Sequence, residues 1–175
     1  MIITTLNEAV DILIRQEILA LFQGDSEWGP RALGNRSLLF DPRNKNGKDI
    51  VNRIKKREWY RPFAGSILLE YAHEWFEMGT IKESPYMCFA IPVKEDKKKI
   101  IPSITHVDGT CRIQTVTKKQ NKKFYDLINA FYQKTNVPIL FNTSFNLSGE
   151  PLVETKEDAL DTMKRSNINY LYTPR

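Results

Sequence analysis

The chain has 175 residues, 41% of them hydrophobic and 11% aromatic, with a net charge of +5, the size and composition of a single globular domain with an ordinary core. No run approaches the ~20 apolar residues of a membrane span, and the N-terminus lacks the charged-then-apolar order of a signal peptide, so a cytoplasmic protein without a membrane partner is expected. Cys88 and Cys111 are too few for a disulfide framework, and neither they nor His73 and His106 have metal-ligand spacing, which argues against a zinc enzyme.

Residues 5–18 open on a capping-box pattern, Thr5 with Glu8, and continue with Leu6, Val10, Leu13 and Ile14 at helical spacing, so a first helix is expected. The apolar run "ILALFQG" reads as a buried strand stopped by Gly24, and a loop punctuated by glycine and proline follows. Residues 47–58 place Ile50, Val51 and Ile54 on one helical face, with Lys55, Lys56 and Arg57 at the helix end. "SILLEY" and "YMCFAIPV" read as strands around a short helix or turn at "HEWFEM", and the charged "KEDKKK" as a solvated hairpin tip. Asp108 and Gly109 form a turn before an alternating strand that carries Arg112 and Gln114. An amphipathic helix is expected over 121–135, with Phe124, Leu127, Ile128 and Phe131 as its stripe. "VPILFNTSFN" is a buried strand entering a polar loop, Thr155 to Asp158 opens the last helix, and "NINYLY" closes the chain as a strand. The alternation predicts a mixed α/β (α+β) single domain over residues 1–175.

Between positions 31 and 61 there are ten Lys or Arg against three Asp or Glu, an excess of seven in a chain whose total is +5. So local a field points to a phosphate-bearing partner, a nucleotide or a nucleic acid backbone. Three polar clusters fall at strand or helix ends, where α/β sheets place ligand sites. The first holds Arg31 and Arg36 in "EWGPRALGNRS". The second is "KKREWYRPF", in which Lys55, Arg57 and Arg61 either converge on one anion or form a solvated helix end. In the third, "NTSFNLSG", Asn142, Ser144, Asn146 and Ser148 either offer neutral donors and acceptors to a ligand or close a turn upon its own backbone. Ser144 has no histidine and acid at hydrolase spacing. His106 and Asp108 share a face of an extended segment; His106 is the better candidate for a polar role, while Asp108 either orients a ligand or starts the turn.

The stretches "QGDSEWGPRALGNRSLLFDPR", "NRIKKREWYRPFAGSIL", "SPYMCFAIPV", "ITHVDGTCRIQTV" and "VPILFNTSFNLSGEPLVET" together resemble, in order, the C-terminal domain of the carbamoyltransferases of the NodU/CmcH family. The resemblance spans nearly the whole chain. It implies a YrdC-like fold, a twisted mixed β-sheet flanked by helices, with a K-x-R and an S-x-N signature around a nucleotide. Lys55 and Arg57 match the first, with Arg61 as a further basic residue. Ser144 and Asn146 match the second, and Arg112 matches an arginine between them.

By that resemblance the site binds carbamoyl phosphate and ATP with Mg²⁺, splits carbamoyl phosphate to carbamate, and adenylates the carbamate to carbamoyl-adenylate. Lys55, Arg57, Arg61 and Arg112 are the implied catalytic cations. Arg31, Arg36, His106, Asn142, Ser144, Asn146 and Ser148 are the implied ATP and carbamoyl phosphate contacts. The chain departs from the family in having Gly65 where proline is commoner, which loosens the backbone beside Arg61, and Asp25 where a basic residue is common. Family members precede this domain with a larger actin-like ATPase-fold transferase domain. The sequence given starts just before the small domain's first helix, so it is expected to be either a fragment of such a protein or a separately encoded half whose implied partner is a transferase chain. The rival expectation is a non-catalytic nucleotide- or RNA-binding, or regulatory, module on the same fold.

Overall fold

A computed structural model describes residues 1–174. Eight strands form one mixed sheet: β1 (Ile2–Ile3), β2 (Leu19–Phe22), β3 (Arg36–Phe40), β4 (Ala64–Leu68), β5 (Ala90–Pro92), β6 (Thr110–Val116), β7 (Ile139–Ser144) and β8 (Tyr170–Tyr172). Their order across the sheet is β1-β8-β2-β3-β7-β4-β6-β5. The pairs β1·β8, β2·β8 and β4·β6 are parallel; the other four are antiparallel. Five helices flank the sheet: α1 (Leu6–Ile14), α2 (Gly47–Ile54), α3 (Ala72–Trp75), α4 (Lys122–Thr135) and α5 (Lys156–Ser166).

Local chemistry sets the helix ends. Helix α4 starts where the Asn121 side chain accepts from the Phe124 amide, and it stops at Asn136, whose left-handed φ of 58° turns the chain toward Pro138. Its stripe of Phe124, Leu127, Ile128 and Phe131 is fully buried, at roughly 2 kcal/mol of burial per side chain. Helix α5 begins with the reciprocal Thr155–Asp158 capping box. At α1, by contrast, the Thr5 side chain caps no amide; its hydroxyl donates to the Glu8 carboxylate.

The two sheet faces are covered differently. Phe40, Phe141 and Gly65 share one face by register. Gly47 at the start of α2 lies against Phe40 and Ser103, and a Cβ on Gly65 would come within 2.7 Å of Ile104. Glycine at position 65 admits Ile104 against the sheet, where a side chain would collide with it. On the opposite face α4 lies against β4 and β7 and packs on α1.

Several elements differ from the sequence expectation. "SILLEY" supplies only the end of β4, and its last three residues form a 3-10 turn. The "YMCFAIPV" strand shrinks to Ala90–Pro92 at the sheet edge. "KEDKKK" belongs to a run of turns that carries the chain from β5 to β6, with Lys97 N–H donating to Lys94 O and Ile100 N–H to Lys97 O. Strand β3 lies in the stretch read as loop; all five of its residues are buried, so it lacks the alternation that marks a half-exposed strand.

Candidate active site

At one end of the sheet, where β4 and β6 begin and β7 ends, lies a cavity of about 350 Å³ lined by Arg31, Arg57, Arg61, Arg112, Asn142 and Ser144, with Pro30, Ala32, Pro62, Phe63, Ala64, Met87 and Thr143 completing its walls. Register builds its floor: Ala64 pairs with Arg112 on one side and Asn142 on the other, so the three side chains share a face. Four guanidinium groups line it and no carboxylate does.

The end of α2 explains the K-x-R spacing. Lys56 takes a left-handed φ of 54°, Lys56 N–H donates to Arg53 O and Arg57 N–H to Asn52 O, a Schellman turn. That turn sends the two flanking cations in different directions. Lys55 is 2% exposed, and its Nζ donates to Ser144 O (2.5 Å), Asn146 O (2.8 Å) and Asn146 Oδ1 (2.8 Å), with Ser144 Oγ at 3.3 Å. The three short acceptors favour an ammonium, while burial and then the nearby Arg57 charge work against it and push its pKa down to about 7. Arg57 lies over the Phe63 ring with its guanidinium carbon 4.1 Å from the centroid, and its Nε donates to Asn52 Oδ1 at 2.6 Å. Burial, then Arg61 and Arg112, lower its pKa to about 10. Burial and then Arg31 lower that of Arg112. An anion among these groups would relieve both the desolvation and the mutual repulsion.

Arg61 is exposed and pairs with Glu58 at 2.7 Å. Arg31 is also exposed and makes one hydrogen bond, to Pro30 O at 3.2 Å. Ser144 Oγ donates to Asn146 Oδ1 (2.7 Å), and Asn146 Nδ2 to Glu150 O (2.6 Å), so the S-x-N pair and Lys55 hold one another at the cavity edge. His106 stands behind the wall, with Nε2 2.8 Å from Phe63 O. Ser148 is exposed, and its amide donates to Lys55 O. Asp108 serves the turn: its carboxylate accepts from the Thr110 amide and hydroxyl, which lowers its pKa.

The structure does not bring Arg36 to this cavity. It is 3% exposed, and its guanidinium donates to Gln23 O, Gly24 O and Glu154 O at 2.8–3.2 Å while lying 3.7 Å over the Phe22 ring. Glu27, absent from the sequence reasoning, accepts from the amides of Leu33 (2.8 Å), Asn35 (2.7 Å) and Arg36 (3.2 Å). It fixes the loop that carries Arg31. Ser66 and Gln114 were likewise missed as a polar layer behind Asn142: Ser66 Oγ donates to Gln114 Oε1 at 2.7 Å. Ser66 and Asn142 stand out as polar residues within the apolar strands β4 and β7, but Gln114 lies among other polar residues of β6 and carries no such signal.

The family model described as "Carbamoyltransferase C-terminus" matches residues 10–175. The chain belongs to this family. Nodulation protein NolO of Bradyrhizobium diazoefficiens is 48% identical over 168 residues, covering 94% of this chain and 30% of its own length. Nodulation protein NolNO of Sinorhizobium fredii is 49% identical over 156 residues, or 88% and 23%. The chain therefore spans about a quarter to a third of these relatives. Among solved structures, P. abyssi Sua5 complexed with L-threonine aligns with a TM-score of 0.70 at 15% identity, over 98% of this chain and 49% of that one. A full-length HypF in the phosphate- and nucleotide-bound form aligns at 0.66 and 17%, over 97% and 24%. E. coli YciO aligns at 0.65 and 13%, over 98% and 81%. At such identities the likeness is one of fold, and the fold of this carbamoyltransferase C-terminus is the YrdC-like one expected. Among the described residues no helix is long and apolar enough to cross a membrane.

Proposed function

We propose that this carbamoyltransferase C-terminus binds carbamoyl phosphate and ATP in the arginine cavity and joins them into carbamoyl-adenylate. The observation that carries the reading is a cavity lined by four guanidinium groups without a carboxylate, backed by the buried Lys55. Hydrolysis of carbamoyl phosphate gives carbamate and phosphate; attack of a carbamate oxygen on the α-phosphorus of ATP then expels pyrophosphate. Both steps spread negative charge over phosphoryl oxygens, so preorganised cations supply positioning and electrostatic stabilisation. Arg57, Arg61 and Arg112 fit that duty from the wall and floor, and Arg31 from the loop. A full-length HypF that contains this fold is phosphate- and nucleotide-bound, which is in keeping with nucleotide chemistry for the fold.

The lining offers no carboxylate to a divalent cation, and no group of three or more His, Cys, Asp or Glu lies close enough to hold a metal among the described residues. The residues present thus do not form a protein-held Mg²⁺ site; in this reading Mg²⁺ arrives on the phosphates of ATP. Transfer of the carbamoyl group to its acceptor is assigned to the part of the relatives that this chain does not span, in the same or a partner polypeptide.

The test is carbamoyl-phosphate-dependent exchange of labelled pyrophosphate into ATP, with Arg112→Ala beside the wild type. Exchange that drops about 100-fold or more in the variant supports the assignment. Full exchange in the variant refutes the site. ATP binding without exchange in the wild type refutes adenylation by this chain and favours the non-catalytic module; an RNA-binding surface would instead show a steep salt dependence.

A further inference from the structure

Two residues of the cavity floor carry side-chain atoms with no partner among the described residues. Asn142, 1% exposed, donates through Nδ2 to Ala32 O (3.2 Å), Ser66 Oγ (2.9 Å) and Gln114 Oε1 (3.3 Å). Because Ala32 O is a carbonyl and can only accept, the orientation of the amide is fixed. Its Oδ1 is then a buried acceptor without a donor, and Arg112 Nε is a buried donor without an acceptor. Register puts both residues on the same face, on either side of Ala64, and all three line the cavity.

A buried polar atom left unpaired costs about 1–3 kcal/mol, and folded proteins keep few of them. A lone acceptor and a lone donor flanking one small residue in an anion cavity set what a ligand there must offer. It must offer an oxygen to Arg112 and an N–H or O–H to Asn142 from neighbouring atoms. Fully ionised phosphate and carboxylate present oxygens alone. A carbamoyl group presents both, since its oxygen and its NH₂ are attached to one carbon.

We propose that Arg112 Nε and Asn142 Oδ1 read the carbamoyl group itself, so that the site selects carbamoyl phosphate over acyl phosphates of the same charge. The inference rests on the reading given under Proposed function and deepens it: the guanidinium groups hold the phosphate, Arg112 through its terminal nitrogens, while Arg112 Nε and Asn142 Oδ1 recognise the carbamoyl group. Ser66 and Gln114, which hold the Nδ2 side of Asn142, are positioning residues that aim its oxygen.

The experiment is calorimetric titration of the full chain with carbamoyl phosphate, acetyl phosphate and inorganic phosphate, for the wild type and for Asn142→Leu. Acetyl phosphate carries a methyl in place of the amine, so the wild type should bind it about tenfold or more weakly than carbamoyl phosphate. In Asn142→Leu the preference should fall below about twofold, with inorganic phosphate reporting whether the cage is intact. A preference that persists in the variant overturns the role of Asn142. Should the variant fail to fold, the wild type still decides, because equal affinity for the two acyl phosphates overturns the inference alone and leaves the phosphate cage standing. Binding of none of the three ligands removes both readings.

Discussion

Lys55 gives the site a dependence on pH whose sign can be worked out. Its ammonium sits 2% exposed, pushed down to about 7 by burial and by Arg57, so above neutrality the ligand-free protein holds mostly the amine. Phosphate oxygens in the cavity favour the ammonium, and binding then requires proton uptake. The protonated fraction falls from about one-quarter at pH 7.5 to about one-thirtieth at pH 8.5, which should weaken ATP affinity about eightfold, or ~1.2 kcal/mol. Across this window the terminal phosphate of ATP, with an ionisation near ~6, changes little. Ligand-free stability should move the other way. The folded pKa lies below the ordinary 10.5, so the cost of burying the charge is fully present below about pH 7 and is relieved as pH rises toward the unfolded value. The assay is calorimetric ATP titration at pH 7.5, 8.0 and 8.5, with Lys55→Met expected to bind weakly and without slope. A wild-type change under twofold, or the same slope in Lys55→Met, would refute the coupling.

Other expected outcomes concern the frame around the site. Lys56→Gly should raise stability by about 0.5–1 kcal/mol in urea melts, because Lys56 holds a left-handed φ of 54°, whereas Lys56→Val should lower it by about 1–2 kcal/mol. Stability unchanged in both would deny the role of the turn. Thr155→Ala removes the capping box of α5 and should cost about 1 kcal/mol with ATP affinity unaltered; a loss of affinity would mean that α5 shapes the site. Arg36→Leu strands the carbonyls of Gln23, Gly24 and Glu154 and should cost about 2–4 kcal/mol. If it instead abolished ATP binding at full stability, Arg36 would belong to the cage after all.

Much of the fold was legible because its signals are local. The stripe of α4, the Thr155 capping box and the apolar run into "NTSFN" each declare themselves within a dozen residues, and each forms as read. What escaped was set by the tertiary structure. Strand β3 is buried on both faces and opens with an arginine, so neither alternation nor polarity marks it. The connection after β5 carries six charged residues in a row and looks like a hairpin tip, but its turns continue to the buried Ile101 and Ile104, which pack into the core. At the site the excess of cations between positions 31 and 61 was legible from charge density, while the convergence of Arg57 and Arg61 stayed open and Arg112 was singled out by the family resemblance alone. The layer of Ser66, Gln114 and Asn142 was not legible, because three polar residues from three strands become one network only when the register places them together.

The two arginines of "EWGPRALGNRS" show how spacing alone misleads and how structure separates the roles. Five positions apart, they invite a shared duty on one anion. Arg36 begins β3, and a residue there faces the carbonyls left open where the chain leaves β2 at Gln23 and Gly24. Its guanidinium satisfies them and is buried in doing so. Glu27 then accepts from three amides at the loop's far end, so Pro30 and Arg31 form a bend held at both sides. The buried arginine and the glutamate are what allow Arg31 to remain free of any side-chain partner while lining the cavity. The burial of Arg112 and the nearby Arg31 both lower the Arg112 pKa, the perturbation characteristic of a site that binds an anion, and the loop's own ionic chemistry is spent on keeping Arg31 there.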